Sequence, residues 1–373
     1  MTLLFWSSLA LMFFAYAGYP ICLYFRARLW PRHVRRASIF PSVTILLAVR
    51  DEEKYLLAKL QNLEQLDYPA DRLQVVVVSD GSTDETNTIL RAWENSNRKT
   101  VILPEPLGKA TALNHGIAAA QGEVVVFTDA RQTIAADALK NLAANFADAD
   151  VGCVSGELMI GQDRDTASAQ GVGLYWRMEK KIRLWEGLAG STVGATGALY
   201  AVRRNLIQPL PPGTILDDVY IPLQVVRQGQ RVVFEPKALA FDPFTPDPKQ
   251  EFRRKLRTLL GNYQLLQLSP WILKRSCPIR FQFVCHKLLR LLVPFALLGL
   301  LVSTFWIRNG VYELALVLQL AFYALAALGV LGGKFGIVSR LSDISLAFVV
   351  LNAAAAVAFV YFITGRKAIW TRT

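Results

Sequence analysis

Acidic side chains follow three strongly apolar runs of this sequence. Asp51 and Glu53 come shortly after VTILLAV. Asp80 directly follows LQVVVVS, and Asp129 directly follows EVVVFT. Carboxylates in such positions can accept hydrogen bonds from a nucleotide base or from ribose hydroxyls, and Asp129 can also help to hold a divalent cation. Asp80 and the nearby Asp84 are equally consistent with roles in a turn and a helix cap.

One lysine and a pair of aspartates add a second kind of chemistry. Lys109 stands in LGKATALNHG at the start of a predicted helix, where it offers a positive charge to phosphate or remains an ordinary solvated lysine. Asp217 and Asp218 stand together in TILDDVYIPL. Because adjacent carboxylates repel, we expect one of them to be less acidic, and either could act as a general base. The alternative is a pair of carboxylates stabilised by a helix dipole.

Other kinds of catalytic site are not supported by the sequence. The three histidines, His33, His115 and His286, are scattered and complete no Ser/His/Asp set. No GxGxxG pattern follows the first apolar run, which disfavours a dinucleotide-dependent oxidoreductase. The four cysteines show no spacing typical of metal ligands.

The elements that must position these residues alternate between strand and helix. The predicted strands are Ser42–Val49, Leu73–Ser79, Thr100–Leu103, Glu123–Thr128, Val151–Met159, Ala198–Val202 and Arg231–Glu235. The predicted helices between them include Glu52–Leu66, Asp84–Glu94, Lys109–Ala120 and Ala135–Phe146. This alternation predicts an α/β fold with a doubly wound, mostly parallel sheet. Ligands of such sheets bind outside the carboxyl ends of the strands, which is where the acidic residues fall.

Composition excludes two broad classes of protein. The 373 residues are 53% hydrophobic and only 19% charged, which excludes a disordered chain. Four cysteines in this length exclude a small disulfide scaffold. The net charge is +12, and the excess lies mostly beside predicted membrane segments, where it can bind anionic lipid. The charge therefore requires no nucleic acid partner.

Long apolar segments at both ends of the chain predict membrane helices. The segment Thr2–Phe25 carries no charge and is followed by a basic flank, which predicts a cytoplasmic location for the middle of the chain. The competing interpretation, a signal peptide, requires a basic start and a small-residue cleavage site, and both are missing. Three further runs of span length are predicted at about Leu291–Ile307, Leu314–Gly333 and Ile344–Gly365.

An amphipathic helix is predicted between the α/β region and the later spans. In KQEFRRKLRTLLGNYQLLQL, apolar residues recur at helical spacing and basic residues cover the rest of the first half. We expect this helix to lie in the membrane interface, and the alternative is a helix packed on the globular domain. The predicted organisation is a transmembrane helix at 1–28, a catalytic domain at 38–245, an interfacial helix region at 246–285 and a transmembrane region at 286–373.

Taken together, these features resemble the membrane-bound family 2 glycosyltransferases with a GT-A catalytic domain. Cellulose synthase, hyaluronan synthase, NodC and poly-N-acetylglucosamine synthase belong to that group. The resemblance rests on the run VVVVSDGSTDE, the GKATALN segment, the LDD pair and the membrane spans at both ends. Their order and spacing cover almost the whole chain.

The resemblance implies roles for residues on the donor side of the site. Asp51, together with Glu53, and Asp80 match the acids that bind the nucleotide. Lys109 matches a lysine near the diphosphate. Asp129 matches the first acid of the DxD motif, which binds the sugar nucleotide and a divalent metal, Mg²⁺ or Mn²⁺.

The resemblance also implies a catalytic base and an acceptor segment. Asp218 matches the final aspartate of the TED-like motif, the general base of the family, with Asp217 beside it. The segment Gly194–Tyr200 matches the part of the family that lies beside the acceptor, and its candidate acceptor-binding residues are Gly194, Thr196 and Gly197.

Two departures from the family pattern matter. The second acid of DxD is replaced by Arg131, which removes one expected metal ligand and could itself face the phosphates. The QxxRW motif reads RKLRT, so Arg257 is retained while Arg254 and Thr258 replace Gln and Trp. We expect Arg257 to face the diphosphate and Arg254 the acceptor. Because QxxRW accompanies chain-extending synthases, its loss leaves processive polymerisation open.

The implied activity is inverting transfer of a sugar from a nucleotide-diphosphate sugar, such as a UDP-sugar. The implied acceptor is a polysaccharide or a lipid-linked molecule in surface polysaccharide synthesis, at a bacterial inner membrane with the catalytic domain in the cytoplasm. One alternative is a transferase that adds a single sugar to a lipid. Another is an inactive nucleotide-sugar-binding scaffold. A transporter is disfavoured because the spans contain almost no ionisable residues. The sequence indicates no oligomeric state.

Overall fold

A central sheet forms the core of the computed structural model, which describes residues 1–160, 167–242, 248–307, 309–330 and 336–365. The strands within these residues are β1 Val43–Val49, β2 Leu73–Asp80, β3 Arg98–Leu103, β4 Val124–Thr128, β5 Thr133–Ile134, β6 Val151–Ile160, β7 Leu199–Arg203 and β8 Arg231–Asp242. Their order across the sheet is β3-β2-β1-β4-β7-β6-β8-β5. Every strand predicted from the sequence is present, and β5 is a short strand that the sequence analysis did not predict.

The sheet is parallel in its first half and mixed in its second. Strands β3, β2, β1 and β4 pair in parallel, and so do β6 and β8. Strand β7 runs antiparallel to both β4 and β6, and β5 runs antiparallel to β8. The result is a mixed sheet, in which the parallel half matches the doubly wound pattern expected from the sequence.

Helices cover both faces of the parallel strands, which explains why those strands are apolar throughout. The helices before β8 are α1 Thr2–Phe13, α2 Tyr19–Leu29, α3 Glu53–Glu64, α4 Thr86–Trp93, α5 Lys109–Ala119, α6 Ala138–Ala144, α7 Ala167–Ala189 and α8 Asp217–Arg227. One face packs against α3 and α6 through residues such as Ile45, Leu60 and Leu139. The other packs against α5 and α8 through residues such as Leu46 and Leu113.

The remaining helices follow the sheet. They are α9 Pro248–Leu268, α10 Arg280–Phe283, α11 Leu289–Trp306, α12 Gly310–Val330 and α13 Gly336–Ile363. A π-helical turn, Val284–Leu288, joins α10 to α11, and another, Phe14–Gly18, joins α1 to α2. The boundary predicted between the catalytic domain and the interfacial helix region, at 245–246, falls outside the described residues. So does the end of the predicted span Leu314–Gly333, at residues 331–333.

Four of the described helical segments are long and apolar enough to cross a membrane. They are Thr2–Leu29, Arg280–Trp306, Gly310–Val330 and Leu341–Ile363, which overlap the four predicted spans. Apolar side chains such as Leu3, Phe305 and Leu314 face outward on these segments, as expected where lipid replaces a protein neighbour.

The amphipathic helix α9 buries its apolar residues against protein on two sides. Leu260 and Tyr263 pack with Leu291 of α11 and Ala358 of α13. Leu265 belongs to the core beneath the sheet. The location of α9 in the membrane interface remains a prediction, but at these residues its apolar face is covered by protein. The reason is geometric, because the helix lies between the α/β domain and the apolar C-terminal helices and is therefore covered by both.

Candidate functional site

Lys109 joins two acidic residues that are far apart in the sequence. It is the first residue of α5, and its Nζ lies 3.0 Å from Oδ1 of Asp129 at the end of β4 and 3.2 Å from Oδ1 of Asp217 at the start of α8. Burial alone lowers the pKa of Lys109, but Asp129 and Asp217 outweigh it and hold the pKa above its ordinary value. The ammonium is therefore fixed as a permanent positive charge at the rim of the sheet.

Asp218 lies beside this group and has the properties of a base that works near neutral pH. Burial, reinforced by the charge of Asp217, raises the pKa of Asp218 to about 6, while Lys109 and Lys287 act in the opposite direction. A carboxylate of that pKa is ionised at pH 7 but accepts a proton more readily than an ordinary aspartate. Two adjacent carboxylates with different surroundings thus take different roles, as Asp217 is held by Lys109 and Asp218 is not.

Asp217 is fixed from its other side by a tyrosine. Tyr200 Oη donates a hydrogen bond of 3.4 Å to Oδ2 of Asp217, and its ring stacks on Phe127 at 4.7 Å between centroids. Burial and the nearby Asp217 raise the pKa of Tyr200 well above its ordinary value, so the phenol remains a donor. Sequence analysis missed Tyr200 as a neighbour of the aspartate pair.

The predicted acceptor segment lies against the aspartate pair. The backbone N–H of Ala195 donates to the carbonyl of Asp218 at 2.8 Å, and the N–H of Thr196 donates to Ser155 Oγ at 3.0 Å. A Cβ at Gly197 would lie 3.2 Å from Oδ2 of Asp218, and one at Gly194 would lie 3.0 Å from a methyl group of Val219. Because residue 197 has no side chain, space remains directly beside the Asp218 carboxylate.

Asp80 directs its carboxylate into the protein. The side chain is fully buried, and Oδ1 accepts a hydrogen bond from the N–H of Leu107 at 2.7 Å while Oδ2 accepts one from the N–H of Gly108 at 2.9 Å. Gly108 has a positive φ of 92° and directly precedes Lys109. In this structure Asp80 therefore holds the turn that presents Lys109.

Asp51 and Glu53 bind the loop that follows β2. Oδ1 of Asp51 accepts from the N–H of Thr83 at 2.8 Å, and Oε2 of Glu53 accepts from the N–H of Glu85 at 3.1 Å. Asp51 also has a positive φ of 53°, unusual for a residue other than glycine. Asp84 accepts from the N–H of Thr86, two residues further on, at 3.0 Å, which matches the turn role left open by the sequence. The strained geometry of Asp51 marks this turn as a candidate site.

Arg131 is paired with an aspartate that the sequence analysis did not single out. Its Nη2 lies 2.7 Å from Oδ2 of Asp242 at the end of β8, and Gln132 Nε2 donates to the same oxygen at 3.1 Å. Asp242 is almost fully buried. The only signal in the sequence was its position at the end of an apolar run. The charge of Arg131 is therefore balanced within the protein.

A divalent cation fits this site only with help from a substrate. Within the described ranges, no three His, Cys, Asp or Glu residues come together as metal ligands. Asp129 is 38% exposed and has one carboxylate oxygen against Lys109, so the other is available to an ion. Mg²⁺ is commonly held by one or two carboxylates together with substrate phosphates and water. The residues present fit such an ion, with Asp129 as its ligand.

A buried lysine supports the loop that carries Asp129. Lys59 of α3 is 1% exposed, and its Nζ donates to Thr128 Oγ1 at 2.9 Å and to the carbonyl of Gln132 at 2.6 Å. Burial lowers the pKa of Lys59 to about 7, although Asp129 acts in the opposite direction. Sequence patterns do not reveal this residue, because it lies on a helix with ordinary amphipathic spacing.

Helix α9 holds the segment that precedes the aspartate pair. Gln264 accepts a hydrogen bond from the N–H of Ile215 at 2.9 Å and donates one to the carbonyl of Gly213 at 2.9 Å. A Cβ at Gly261 would lie 2.5 Å from Leu216, so only glycine allows the helix to approach this closely. Both residues were missed from the sequence.

The two arginines predicted on α9 differ in exposure. Arg254 is exposed, and Thr258 Oγ1 donates to its carbonyl at 3.0 Å. Arg257 is half-buried, and its Nε is a buried donor without a partner among the described residues. Their predicted contacts with diphosphate and acceptor remain predictions, but only Arg257 has a buried group to offer a ligand.

Comparison with known proteins shows what the central domain is similar to. Residues 44–210 match the family model described as Glycosyl transferase family 2. An N-acetylglucosaminyltransferase of Rhizobium meliloti is 26% identical over 256 residues, 62% of this chain and 60% of that protein. The poly-beta-1,6-N-acetyl-D-glucosamine synthase of Staphylococcus aureus is 25% identical over 229 residues, 60% of this chain and 55% of that protein. The chain thus covers less than two thirds of the length of either relative.

One solved structure shares the fold along nearly the whole chain. The mannosyltransferase PcManGT from Pyrobaculum calidifontis, solved in complex with GDP-Man and Mn²⁺, superposes with a TM-score of 0.73. The match covers 97% of this chain and 99% of that protein at 24% sequence identity. It includes the terminal helices as well as the sheet, so the whole architecture recurs.

Proposed function

We propose that this chain is a family 2 glycosyltransferase, which transfers a sugar from a nucleotide-diphosphate sugar to an acceptor at a membrane. The observation that carries the proposal is the group Lys109, Asp129, Asp217 and Asp218 at the carboxyl ends of the strands. It combines a fixed positive charge with a base of raised pKa. Ligands of α/β sheets bind at this rim.

The proposed chemistry is a direct displacement at the anomeric carbon with inversion. A hydroxyl oxygen of the acceptor forms the new bond to that carbon, and the bond from the carbon to the diphosphate oxygen breaks. Asp218 takes the proton from the attacking hydroxyl, and the diphosphate leaves with the bonding electron pair. A positioned base contributes typically about 10²–10⁴-fold to such a step.

The reaction also requires stabilisation of the negative charge that develops on the departing diphosphate. Lys109 is already ordered by Asp129 and Asp217, so it can stabilise that charge without reorganising. A divalent ion held by Asp129, when bound, would supply further neutralisation of the diphosphate. Arg257 offers a buried donor on α9 to the same substrate.

The acceptor is proposed to enter beside Gly197, where the absence of a side chain leaves space next to Asp218. Gly194 and Thr196 fix the course of this segment. The four candidate spans and the contact between α9 and α13 support a location of this opening near a membrane, which favours a lipid-linked or growing polysaccharide acceptor. We further propose a bacterial inner membrane, with the sheet domain on the cytoplasmic side.

The proposal is tested by incubating the purified chain, in lipid nanodiscs, with a panel of nucleotide sugars. We expect one donor to release its nucleotide diphosphate and to pass its sugar to a membrane-extracted acceptor. An Asp218→Asn variant serves as the matched control for background hydrolysis. Release that is equal in the variant and the wild type for every donor would contradict the proposal.

The same assay addresses the metal and the product. If Asp129 holds a substrate-dependent ion, EDTA lowers transfer and added Mn²⁺ restores it, whereas unchanged transfer would assign the whole diphosphate charge to Lys109 and its neighbours. The length of the product separates a polymerase from a transferase that adds one sugar per acceptor.

A further inference from the structure

A buried carboxylate joins helix α7 to two of the candidate membrane segments. Glu186 of α7 is 1% exposed, and its Oε1 accepts a hydrogen bond from Tyr19 Oη at 2.6 Å and lies 2.7 Å from Nδ1 of His286. Tyr19 belongs to the candidate span Thr2–Leu29, and His286 belongs to the candidate span Arg280–Trp306. A single carboxylate oxygen therefore contacts two segments that are apolar enough to cross a membrane.

The other oxygen of this carboxylate holds the chain where the predicted acceptor segment begins. Oε2 of Glu186 accepts a hydrogen bond from the backbone N–H of Val193 at 3.3 Å. Val193 is buried and directly precedes Gly194, the first residue of that segment. Two residues further on, the N–H of Ala195 donates to the carbonyl of Asp218 at 2.8 Å. A short path of hydrogen bonds and backbone thus leads from Glu186 to the proposed base.

The surroundings of the Glu186 carboxylate are apolar. Buried side chains of α2, α7 and the π-helical turn Val284–Leu288 pack together beside it: Tyr19, Leu23, Ile182, Ala189 and Cys285. Hydrogen bonds are strong in such a place, and a polar atom that loses its partner there is costly. Compared with apolar side chains of similar volume, a buried charged group often adds little net stability. Its directional contacts are therefore better suited to fix one arrangement of the joined elements than to strengthen the fold.

From these contacts we propose that Glu186 is a positioning residue for sugar transfer, which ties the acceptor segment to the membrane helices. The inference rests on the proposed glycosyltransferase function and goes beyond it, because it gives side chains of the candidate spans a role in the reaction. Glu186 holds Val193 and, through it, the backbone beside Asp218. Tyr19 and His286 in turn fix Glu186. A misplacement of about 1 Å caused far from the reacting atoms can lower a rate by about 10²-fold.

Glu179, on the same helix, provides a matched control. It is also buried, and its two carboxylate oxygens lie 2.7 Å from Nε2 of His286 and 3.2 Å from Nη1 of Arg290. Both of these partners belong to the candidate span Arg280–Trp306. Replacing Glu179 should therefore cost stability without moving the acceptor segment, because Glu186 keeps its own contacts.

The test measures sugar transfer and donor binding separately, on the full chain in lipid nanodiscs. Transfer is measured as kcat with the nucleotide sugar that is active with the wild type and with a membrane lipid extract as acceptor, well below the thermal midpoint of each variant. Donor binding is measured as the rise of the thermal midpoint caused by UDP or GDP, because a ligand that binds only the folded state stabilises it. A loss of stability alone lowers the midpoint but leaves kcat of the folded protein unchanged.

Glu186→Gln replaces one carboxylate oxygen by an amide N–H₂ group, so the side chain no longer accepts hydrogen bonds on both sides. We expect kcat to fall by about 10- to 100-fold, while binding of the nucleotide diphosphate is retained. Tyr19→Phe keeps the ring and removes one donor to Glu186, so it should lower kcat in the same direction by a smaller factor. Glu179→Gln should lower the thermal midpoint and leave kcat unchanged.

Wild-type kcat in Glu186→Gln and Tyr19→Phe would overturn the proposal, and if Glu186→Gln does not fold, Tyr19→Phe decides alone. An equal fall of kcat in Glu179→Gln would overturn it as well, since any break in the buried group would then act alike. So would a loss of nucleotide diphosphate binding in parallel with kcat, because the whole site would then be disturbed. Absence of transfer by the wild type from every donor would instead remove the glycosyltransferase function on which the proposal rests.

Discussion

Two groups of acidic residues at the same rim of the sheet differ in what they bind. Around β1 and β2, the carboxylates of Asp51, Glu53 and Asp80 accept hydrogen bonds from backbone N–H groups of neighbouring loops. Around β4 and α8, Asp129 and Asp217 instead face the ammonium of Lys109. The first group thus organises loops, and the second concentrates charge.

Position at a strand end therefore does not decide the role of a carboxylate. A carboxylate satisfied by backbone amides is a fixed structural acceptor. One crowded by another carboxylate in a buried place has a raised pKa and can exchange a proton. The two groups should therefore respond differently to substitution.

The largest effect is expected at Asp218. Asp218→Asn keeps the shape of the side chain but cannot take a proton, so we expect sugar transfer to fall by about 10²–10⁴-fold. Binding of the nucleotide diphosphate should persist, because Lys109 keeps both of its partners. This binding is measured by the stabilisation of the folded protein that the ligand causes. Transfer within a factor of two of wild type would remove Asp218 from the role of base.

A smaller effect, on stability instead of chemistry, is expected at Asp80. Asp80→Asn replaces a buried acceptor of two backbone N–H groups with a side chain that can satisfy only one of them. We expect the free energy of unfolding to fall by about 1.5–3 kcal/mol, the range for hydrogen bonds to charged groups. Thermal unfolding without ligand measures this loss. A variant with unchanged stability but lost nucleotide binding would instead place Asp80 among the nucleotide ligands.

The pH dependence of transfer should report the raised pKa of Asp218. Because this pKa is about 6 in the ligand-free protein, the base is protonated below it, and we expect kcat/KM for transfer to fall about tenfold per pH unit on that side. Above pH 6 the rate should level off. Asp217→Asn removes the neighbouring negative charge, so it should move the acid limb to lower pH. A limb that stays in place would show that burial alone sets the pKa.

The smallest effect concerns Lys59, which lies behind the loop of Asp129. Its pKa is about 7 in the folded protein, against an ordinary value of 10.5, so between these values the unfolded chain binds more protons. The free energy of unfolding should therefore rise with pH, by about 1 kcal/mol from pH 7 to 8. Lys59→Met should abolish this rise, whereas Lys54→Met, on the exposed face of the same helix, should retain it. An unchanged slope in Lys59→Met would contradict the low pKa.

Much of the fold was predictable because it depends on neighbouring residues. Runs such as VTILLAV and LQVVVVS are continuously apolar, which identified β1 and β2 before any pairing was known. The antiparallel insertion of β7 between β4 and β6 was not predictable, because strand order depends on which distant runs pair. The same limit applies to α9, whose amphipathic pattern fits lipid and protein equally well.

The residues of the candidate site could be singled out from the sequence, but their contacts with one another could not. Asp129, Asp217, Asp218 and Lys109 were all identified, yet nothing in their spacing showed that the lysine bridges two of the aspartates. Asp242 was missed, although Arg131 was singled out, because the two lie 111 positions apart.

The hydrophobic pattern of contiguous residues was enough to establish the α/β alternation, the candidate membrane segments and the rim at which the acids gather. The tertiary structure decided which carboxylate accepts hydrogen bonds from the backbone and which one pairs with the lysine. It also decided which carboxylate has a raised pKa. Hydrogen-bond partners and local charge depend on residues brought together from distant parts of the chain, as His286 and Glu186 are across 100 positions. Burial then fixes how strongly those charges act on one another.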